Sequence, residues 1–322
     1  MKSDWERDAP VLAPPREAVI ALLARERPGA RLAGVEPLPG GLANTNLRLR
    51  LEPATDLVLR LYQRDAAARP KEVALAARLA GLVPVPEVVA TGDGEGLGAW
   101  TLVRWVDGEP MDALVAAGRE AELAAAAEHA GQLLARLGEV RFAKPGILGA
   151  DACGGLCVAE PLPLSTAAYR AWLELALEAA RLPAGLAAGV RALAEAAAGR
   201  LDGPGADRAL VHCDYNGANL LVREGRVVAV LDWEFAMCGT PLWDAGNMLR
   251  HFAATPAFDA AFEAGMRAGG LALPPGWRAL AALLDIVNLA DMLSRSPAGS
   301  RREASMIRSI EAHLEASSND RR

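Results

Sequence analysis

Three polar residues within twenty positions carry the chemistry that this sequence can perform. Asp214 and Asn219 stand five residues apart in the run Val211–Val222, and Asp232 follows the apolar stretch Val227–Leu231. Two apolar runs, Leu220–Val222 and Val227–Leu231, flank the polar turn Arg223–Arg226, and Gly225 offers the positive φ that a tight connection needs. A hairpin here puts Asn219 just before its first strand and Asp232 just after its second, so both reach the same end. Asp214 lies on the loop leading into that end. A carboxylate and an amide oxygen form a hard donor set suited to Mg²⁺, which takes a few protein oxygens together with substrate phosphates. The second carboxylate is then left to accept a proton, and this is the layout that phosphoryl transfer requires.

The elements that must hold these groups follow from the remaining periodicity. Residues 1–15 are charged and broken by Pro10, Pro14 and Pro15, so they read as an arm; Val19, Ile20, Leu22 and Leu23 then form a helical stripe up to about Arg27. Strands are expected at Arg31–Leu38, Leu47–Leu51 and Asp56–Tyr62. The first two enclose Gly40 and Gly41, whose backbone can come close to phosphates. A helix over 70–81 places Glu72 near its start. Val88–Ala90 and Trp100–Val106 supply two further strands; the glycines between them (Gly92, Gly94, Gly96, Gly98) precede no helix and read as a hairpin turn. From Met111 the pattern becomes helical. Helices are expected at 120–137, with Gly138 as the cap, at 165–182 and 183–201, and near 245–254, 258–269, 277–294 and 301–316. The proline- and glycine-punctuated stretch 139–165 reads as irregular.

His212-x-Asp214-x₄-Asn219, a hairpin and Asp232, with the variant Leu-Asp-Trp-Glu and the downstream Pro241-Leu-Trp-Asp244, resemble the catalytic and metal loops of the aminoglycoside phosphotransferase and choline kinase superfamily, which has a protein-kinase-like fold. The resemblance covers about residues 31–300. It implies an α+β fold of two lobes: a small antiparallel-sheet N-lobe over 1–105, and a large, mainly helical C-lobe over 106–322. In such an enzyme Asp214 orients and deprotonates the acceptor hydroxyl, while Asn219 and Asp232 hold Mg²⁺ on the phosphates of ATP or GTP. Gly40, Gly41, Asn44 and Asn46 resemble the nucleotide loop, and Arg60 the basic residue on the α/β-phosphates. Arg60 departs from the commoner lysine but keeps the charge and adds a fork. Glu72 would pair with Arg60, and the backbone of Arg104 and Val106 would meet adenine. His212 and Asp244 would brace the loop, and Glu234 would bond locally or face the acceptor.

Eleven residues separate Asp232 from Asp244, too few for a long activation loop, and no Ala-Pro-Glu segment appears, so the acceptor is expected to be a small molecule rather than a protein. Residues 106–322 carry 20 basic and 27 acidic side chains, against 14 and 13 in 1–105. An acidic half suits a cationic acceptor of the aminoglycoside type, for which Glu160, Glu174, Glu178, Asp259, Glu263, Asp285 and Asp291 are the available carboxylates. A metabolic kinase for choline, ethanolamine, another amino alcohol or a sugar uses the same chemistry. A non-catalytic pseudokinase is a third reading, opposed by the intact Asp214, Asn219 and Asp232.

Composition sets outer limits. A chain of 322 residues exceeds what one apolar core serves, and 52% hydrophobic with 23% charged residues suits a soluble globular protein. The net charge of −6 argues against a dedicated nucleic-acid partner. Lys2, Asp4, Glu6, Arg7 and Asp8 stand where a secretory leader needs an apolar core, and the alanine-rich run 123–137 is too short to span a bilayer. Four cysteines without a leader predict reduced thiols in the cytoplasm, and Cys153-x₃-Cys157 lacks the second pair of a zinc site. Monomer and homodimer both remain open.

Overall fold

Strict alternation of leucines drives the N-terminal third into a sheet. Leu47, Leu49 and Leu51 of β2 (Thr45–Glu52) and Leu57, Leu59 and Leu61 of β3 (Leu57–Tyr62) all point to one buried face. In the computed structural model, which describes residues 7, 9–39, 43–94, 96–162, 165–199, 208–252 and 255–319, these strands join β1 (Arg31–Pro37), β4 (Val88–Asp93) and β5 (Ala99–Arg104) in the order β1-β2-β3-β5-β4. Every neighbouring pair is antiparallel. Helix α1 (Arg16–Glu26) closes the apolar face with Val19, Leu22 and Leu23. The other face is left to polar side chains, and there Asn46 stands opposite Arg60 in the β2–β3 register.

Helix α2 (Ala68–Leu79) takes a different side. Its Leu75 and Leu79 belong to the large apolar cluster of the helical part, not to the core under α1. Strand β6 (Glu109–Pro110) and helices α3 (Met111–Ala116) and α4 (Glu120–Glu139) follow. Gly138 does not end α4 as expected: the helix runs on to Glu139, and a Cβ at 138 would lie 3.2 Å from Pro241 Cγ, so close packing explains this glycine better than capping. The stretch expected to be irregular contains the hairpin β7 (Gly146–Ala150) and β8 (Leu156–Pro161). After α5 (Thr166–Ala179) and α6 (Ala184–Ala196), β9 (Ala209–Val211) and β12 (Met237–Gly239) complete a sheet ordered β8-β7-β12-β9. Between them, β10 (Leu220–Arg223) and β11 (Arg226–Val230) form the expected hairpin, extended by β6 into a third sheet.

Helices α7 (Leu242–Phe252), α8 (Pro256–Ala268), α9 (Trp277–Ser294) and α10 (Arg301–Asn319) finish the chain. A sheet-rich N-terminal part followed by a mainly helical part is the α+β plan expected. Helices α4 and α8 touch backbone to backbone: a Cβ on Gly265 would fall 1.9 Å from the Glu128 carbonyl oxygen, and one on Gly131 2.3 Å from that of Phe262. Only glycine permits such an approach. Among the described residues no helix is long and apolar enough to cross a membrane.

Candidate active site

The loop carrying Asp214 is held in shape by its neighbours' backbone. Asp244, fully buried at the start of α7, accepts the N–H groups of His212 at 2.7 Å and Cys213 at 2.8 Å. Cys213 has φ 63°, a conformation rare for a residue with a side chain and sustained only where the surroundings enforce it. Burial pushes the Asp244 carboxyl up to about 7, against the two N–H bonds that favour its anion. The His212 ring bonds the Leu231 carbonyl through Nε2 at 2.8 Å and receives the Asp214 N–H at Nδ1, 3.2 Å away. A carbonyl only accepts, so Nε2 carries the proton and both ring nitrogens serve the backbone.

Asp214 itself is 7% exposed. Its Oδ1 accepts from Asn216 Nδ2 at 2.9 Å and its Oδ2 from Asn219 Nδ2 at 2.8 Å, so two amides grip the carboxylate without neutralising it. Asn219 thereby turns its donor end to Asp214 and keeps Oδ1 for other partners. The hairpin behind it turns through Glu224 and Gly225, both at positive φ (52° and 71°), the pattern of a two-residue turn matched to strand twist. The Leu231 N–H meets the Asn219 carbonyl at 2.8 Å, closing the ladder at the end where Asp232 emerges. Asp232 is itself at φ 63°.

Side chains from the N-terminal sheet meet this end. Arg60 Nη2 donates to Asp232 Oδ1 at 2.8 Å and to Glu72 Oε1 at 3.1 Å, and lies 3.7 Å from Glu234 Oε2. The expected Arg60–Glu72 contact is thus made, and Tyr62 donates to the other Glu72 oxygen at 2.7 Å. Burial works against the Arg60 charge, but Asp232 and Glu72 raise its pKa further still. Glu234 binds Arg64 at 2.5 Å and Asn44 Nδ2 at 3.1 Å, while its backbone carbonyl accepts from Lys71 at 2.5 Å. Burial, with Asp232 alongside, outweighs the two arginines and pushes the Glu234 carboxyl up to about 7. Burial likewise raises Glu72 and lowers Lys71.

The donor set fits a hard divalent ion. Glu72, Asp232 and Glu234 each bring one carboxylate oxygen within 4.8 Å of the others, and the Asn219 amide oxygen is oriented away from Asp214. Arg60 among these carboxylates supplies a fixed positive charge where phosphates would carry negative ones.

Other expected residues fall as follows. Gly40 and Gly41 lie outside the described residues. Asn44 anchors the start of β2, its Oδ1 accepting the Gln63 N–H at 3.1 Å. Arg104 ends β5 with its own N–H on the Glu87 carbonyl, and Val106 lies two residues beyond. Among the acceptor candidates, Glu174 pairs with Arg191 at the α5–α6 surface, Asp291 with Arg295 one turn along α9, and Glu178 is exposed on α5. Asp259 and Glu263 both pair with Arg278. Asp285 does not face an acceptor: it is fully buried, and Arg250 and His313 take both its oxygens, because it occupies the inward face of α9.

Sequence reasoning missed Asn216, Tyr62, Arg64 and Lys71. The period-two spacing of Arg60 and Tyr62 places both on one face of β3 and was the available signal for Tyr62; Arg64 lies two residues beyond the strand. For Asn216 the signal was Asp-x-Asn, a spacing at which a short side chain can bond back within a loop.

Residues 34–283 match the family described as "Phosphotransferase enzyme family", APH. Among solved structures, the chain is similar to a thermostable mutant of aminoglycoside phosphotransferase APH(4)-Ia in a ternary complex with AMP-PNP and hygromycin B, at 19% identity, covering 93% of this chain and 98% of that one, with a TM-score of 0.67. Macrolide 2′-phosphotransferase MphH from Brachybacterium faecium matches at 18% identity, 94% and 96% coverage and a TM-score of 0.61. A candidate fructosamine-3-kinase from Thermobifida fusca matches at 21% identity, 92% and 99% coverage and a TM-score of 0.62. At these identities the likeness is one of fold.

Proposed function

The chain belongs to the phosphotransferase enzyme family and is a phosphotransferase of the small-molecule kinase type; on that premise we propose that it transfers the γ-phosphate of ATP or GTP, with Mg²⁺, to a hydroxyl of a small cationic molecule. Residues 1–105 form the nucleotide-binding lobe in this reading, and residues 106–322 the catalytic and acceptor-binding lobe. The observation that carries the reading is the grip of Asn216 and Asn219 on Asp214 beside Asp232. It supports a carboxylate fixed in direction through both its oxygens, one of them by Asn219, whose amide oxygen is turned away from it.

Asp214 aims the acceptor hydroxyl at the γ-phosphorus and takes its proton as the new O–P bond forms and the bond to the leaving diphosphate breaks. Asn219 and Asp232 would hold the Mg²⁺, which neutralises phosphate charge. Arg60, steadied by Glu72, would meet the α/β-phosphates, and Gly40, Gly41, Asn44 and Asn46 are the further nucleotide-binding residues of this proposal. The Arg104 and Val106 backbone reads the purine. Asp244 and His212 keep the loop bent.

The acidic excess of residues 106–322 favours a cationic acceptor, and the similar solved structures bearing the names of hygromycin B, macrolide and fructosamine enzymes place hydroxylated small molecules first on a test panel. The test is ADP or GDP release over a panel of aminoglycosides, macrolides, amino alcohols and glycated amines. Release raised over the no-acceptor rate by a cationic acceptor supports the proposal. Equal rates with every cationic compound, alongside turnover of a neutral one, would overturn the acceptor class.

A further inference from the structure

The polar stripe along α7 does more than brace the loop at one point. Asp244, Asn247 and Arg250 recur every three residues, so they share one face of the helix. Asp244 holds the loop at His212 and Cys213. Asn247 is 2% exposed, and its surroundings assign its amide oxygen to the Arg250 guanidinium and its nitrogen to the Tyr215 carbonyl; so oriented, it donates to that carbonyl at 3.0 Å and accepts from Arg250 Nη2 at 2.9 Å. Arg250 in turn grips Asp285 of α9 through Nη1 at 3.0 and 2.9 Å, and His313 of α10 reaches the same carboxylate at 2.7 Å. The side chains of Arg250, Asp285 and His313 are 5%, 0% and 7% exposed, so this chain of bonds runs through the core.

Its end point is Tyr215, which stands between Asp214 and Asn216 and whose hydroxyl is fixed on the Ala130 carbonyl at 2.9 Å. A buried ion pair gives little net stability, since apolar groups of the same volume serve as well or better. Its directional bonds, however, fix one geometry. From this we infer that Asp285, Arg250, Asn247 and His313 are positioning residues: they transmit the docking of α10 to the loop that aims the Asp214 carboxylate. The inference rests on the reading of Asp214 as the catalytic base, but loop order can be measured without it.

The experiment compares native-state hydrogen exchange of the full chain with ADP release from ATP and Mg²⁺, water serving as acceptor. Asp285→Asn keeps the volume and removes the charge; His313→Leu cuts the far end, and His313→Gln retains a donor toward Asp285. The Tyr215–Asn219 amides should exchange about tenfold faster in Asp285→Asn and His313→Leu, the equivalent of one net buried hydrogen bond. His313→Gln should stay near wild type. Turnover should fall by on the order of 10²-fold in Asp285→Asn, as a misplaced reacting group costs, with the KM for ATP unchanged.

Loop exchange equal to wild type in all variants would overturn the relay, as would acceleration shared equally by β2 and β3, which signals only global destabilisation. If Asp285→Asn does not fold, the His313 pair decides the matter. Faster loop exchange with unchanged turnover would support the relay and count instead against Asp214 as the base.

Discussion

Replacing Asp214 with asparagine is close to isosteric, yet the geometry predicts two separate losses. The first is the base. General-base catalysis contributes about 10²–10⁴-fold, or roughly 2.7–5.5 kcal/mol at 1.36 kcal/mol per decade, and kcat should fall by that much. The second arises because both carboxylate oxygens are acceptors, one for Asn216 and one for Asn219. A new amide at 214 has one acceptor only, so its NH₂ faces another NH₂, and a buried donor left unmet costs about 1–3 kcal/mol. Rotating one neighbouring amide relieves this. Asn216 is locked, because its Oδ1 accepts the Ala218 N–H at 3.0 Å. Asn219 has one further bond to give up, from its Nδ2 to the Asp214 carbonyl at 2.9 Å, against two for Asn216, so it is the one to turn, and turning it replaces the oxygen offered to Mg²⁺ with an NH₂.

A disturbed support of a metal ligand weakens affinity by about 10–100-fold, so the Mg²⁺ concentration for half-maximal turnover should rise by that factor in Asp214→Asn. Asp214→Ala has no NH₂ to oppose and should lose kcat without the Mg²⁺ shift. Steady-state ADP release against Mg²⁺ concentration measures both. A kcat within about threefold of wild type would refute the base, judged against the expected 10²–10⁴. The same Mg²⁺ shift in both variants, or none in either, would refute the coupling through Asn219.

Asp232→Ala should abolish turnover while the protein stays folded, since Arg60 keeps its 3.1 Å bond to Glu72; melting curves beside ADP release check this, and full Mg²⁺-dependent activity would remove Asp232 from the metal site. Glu234 is raised from 4.5 to about 7, so it contributes stability that is complete below 4.5 and is lost as pH rises through about 7. Glu234→Gln should flatten the stability profile across that window, and urea midpoints that run parallel for the two proteins would contradict the shift. Gly265→Ala should cost more than the ~1–3 kcal/mol usual for overpacking, because the obstruction 1.9 Å away is the Glu128 carbonyl and not a movable side chain. Chemical denaturation reads the cost, and a variant as stable as wild type would contradict the α4–α8 contact.

Much of this architecture was legible because its signals are local. Helix α9 begins at Trp277 and ends at Ser294, where the apolar pattern begins and ends, and the β10–β11 hairpin follows from two apolar runs around Glu224-Gly225. A period of 3.6 or 2 is written in consecutive residues, so burying one face of an element forces the pattern into the sequence. That Asn219 precedes β10 and Asp232 follows β11 was legible for the same reason: one hairpin fixes their relative places.

What escaped depends on partners distant in the chain. Strand β7 is held between its hairpin partner β8 and β12, some ninety residues later; its own Gly146 and Gly149 give no strand signal. Gly138 looked like a stop signal and is instead a contact point for Pro241. Asp285 looked like one more surface carboxylate on a helix, and only the folding of α7 and α10 around α9 shows that Arg250 and His313 enclose it. A residue type states what bonds a side chain can make. Which bonds it does make is set by the groups that long-range packing brings within 3 Å or so, the range over which hydrogen bonds act.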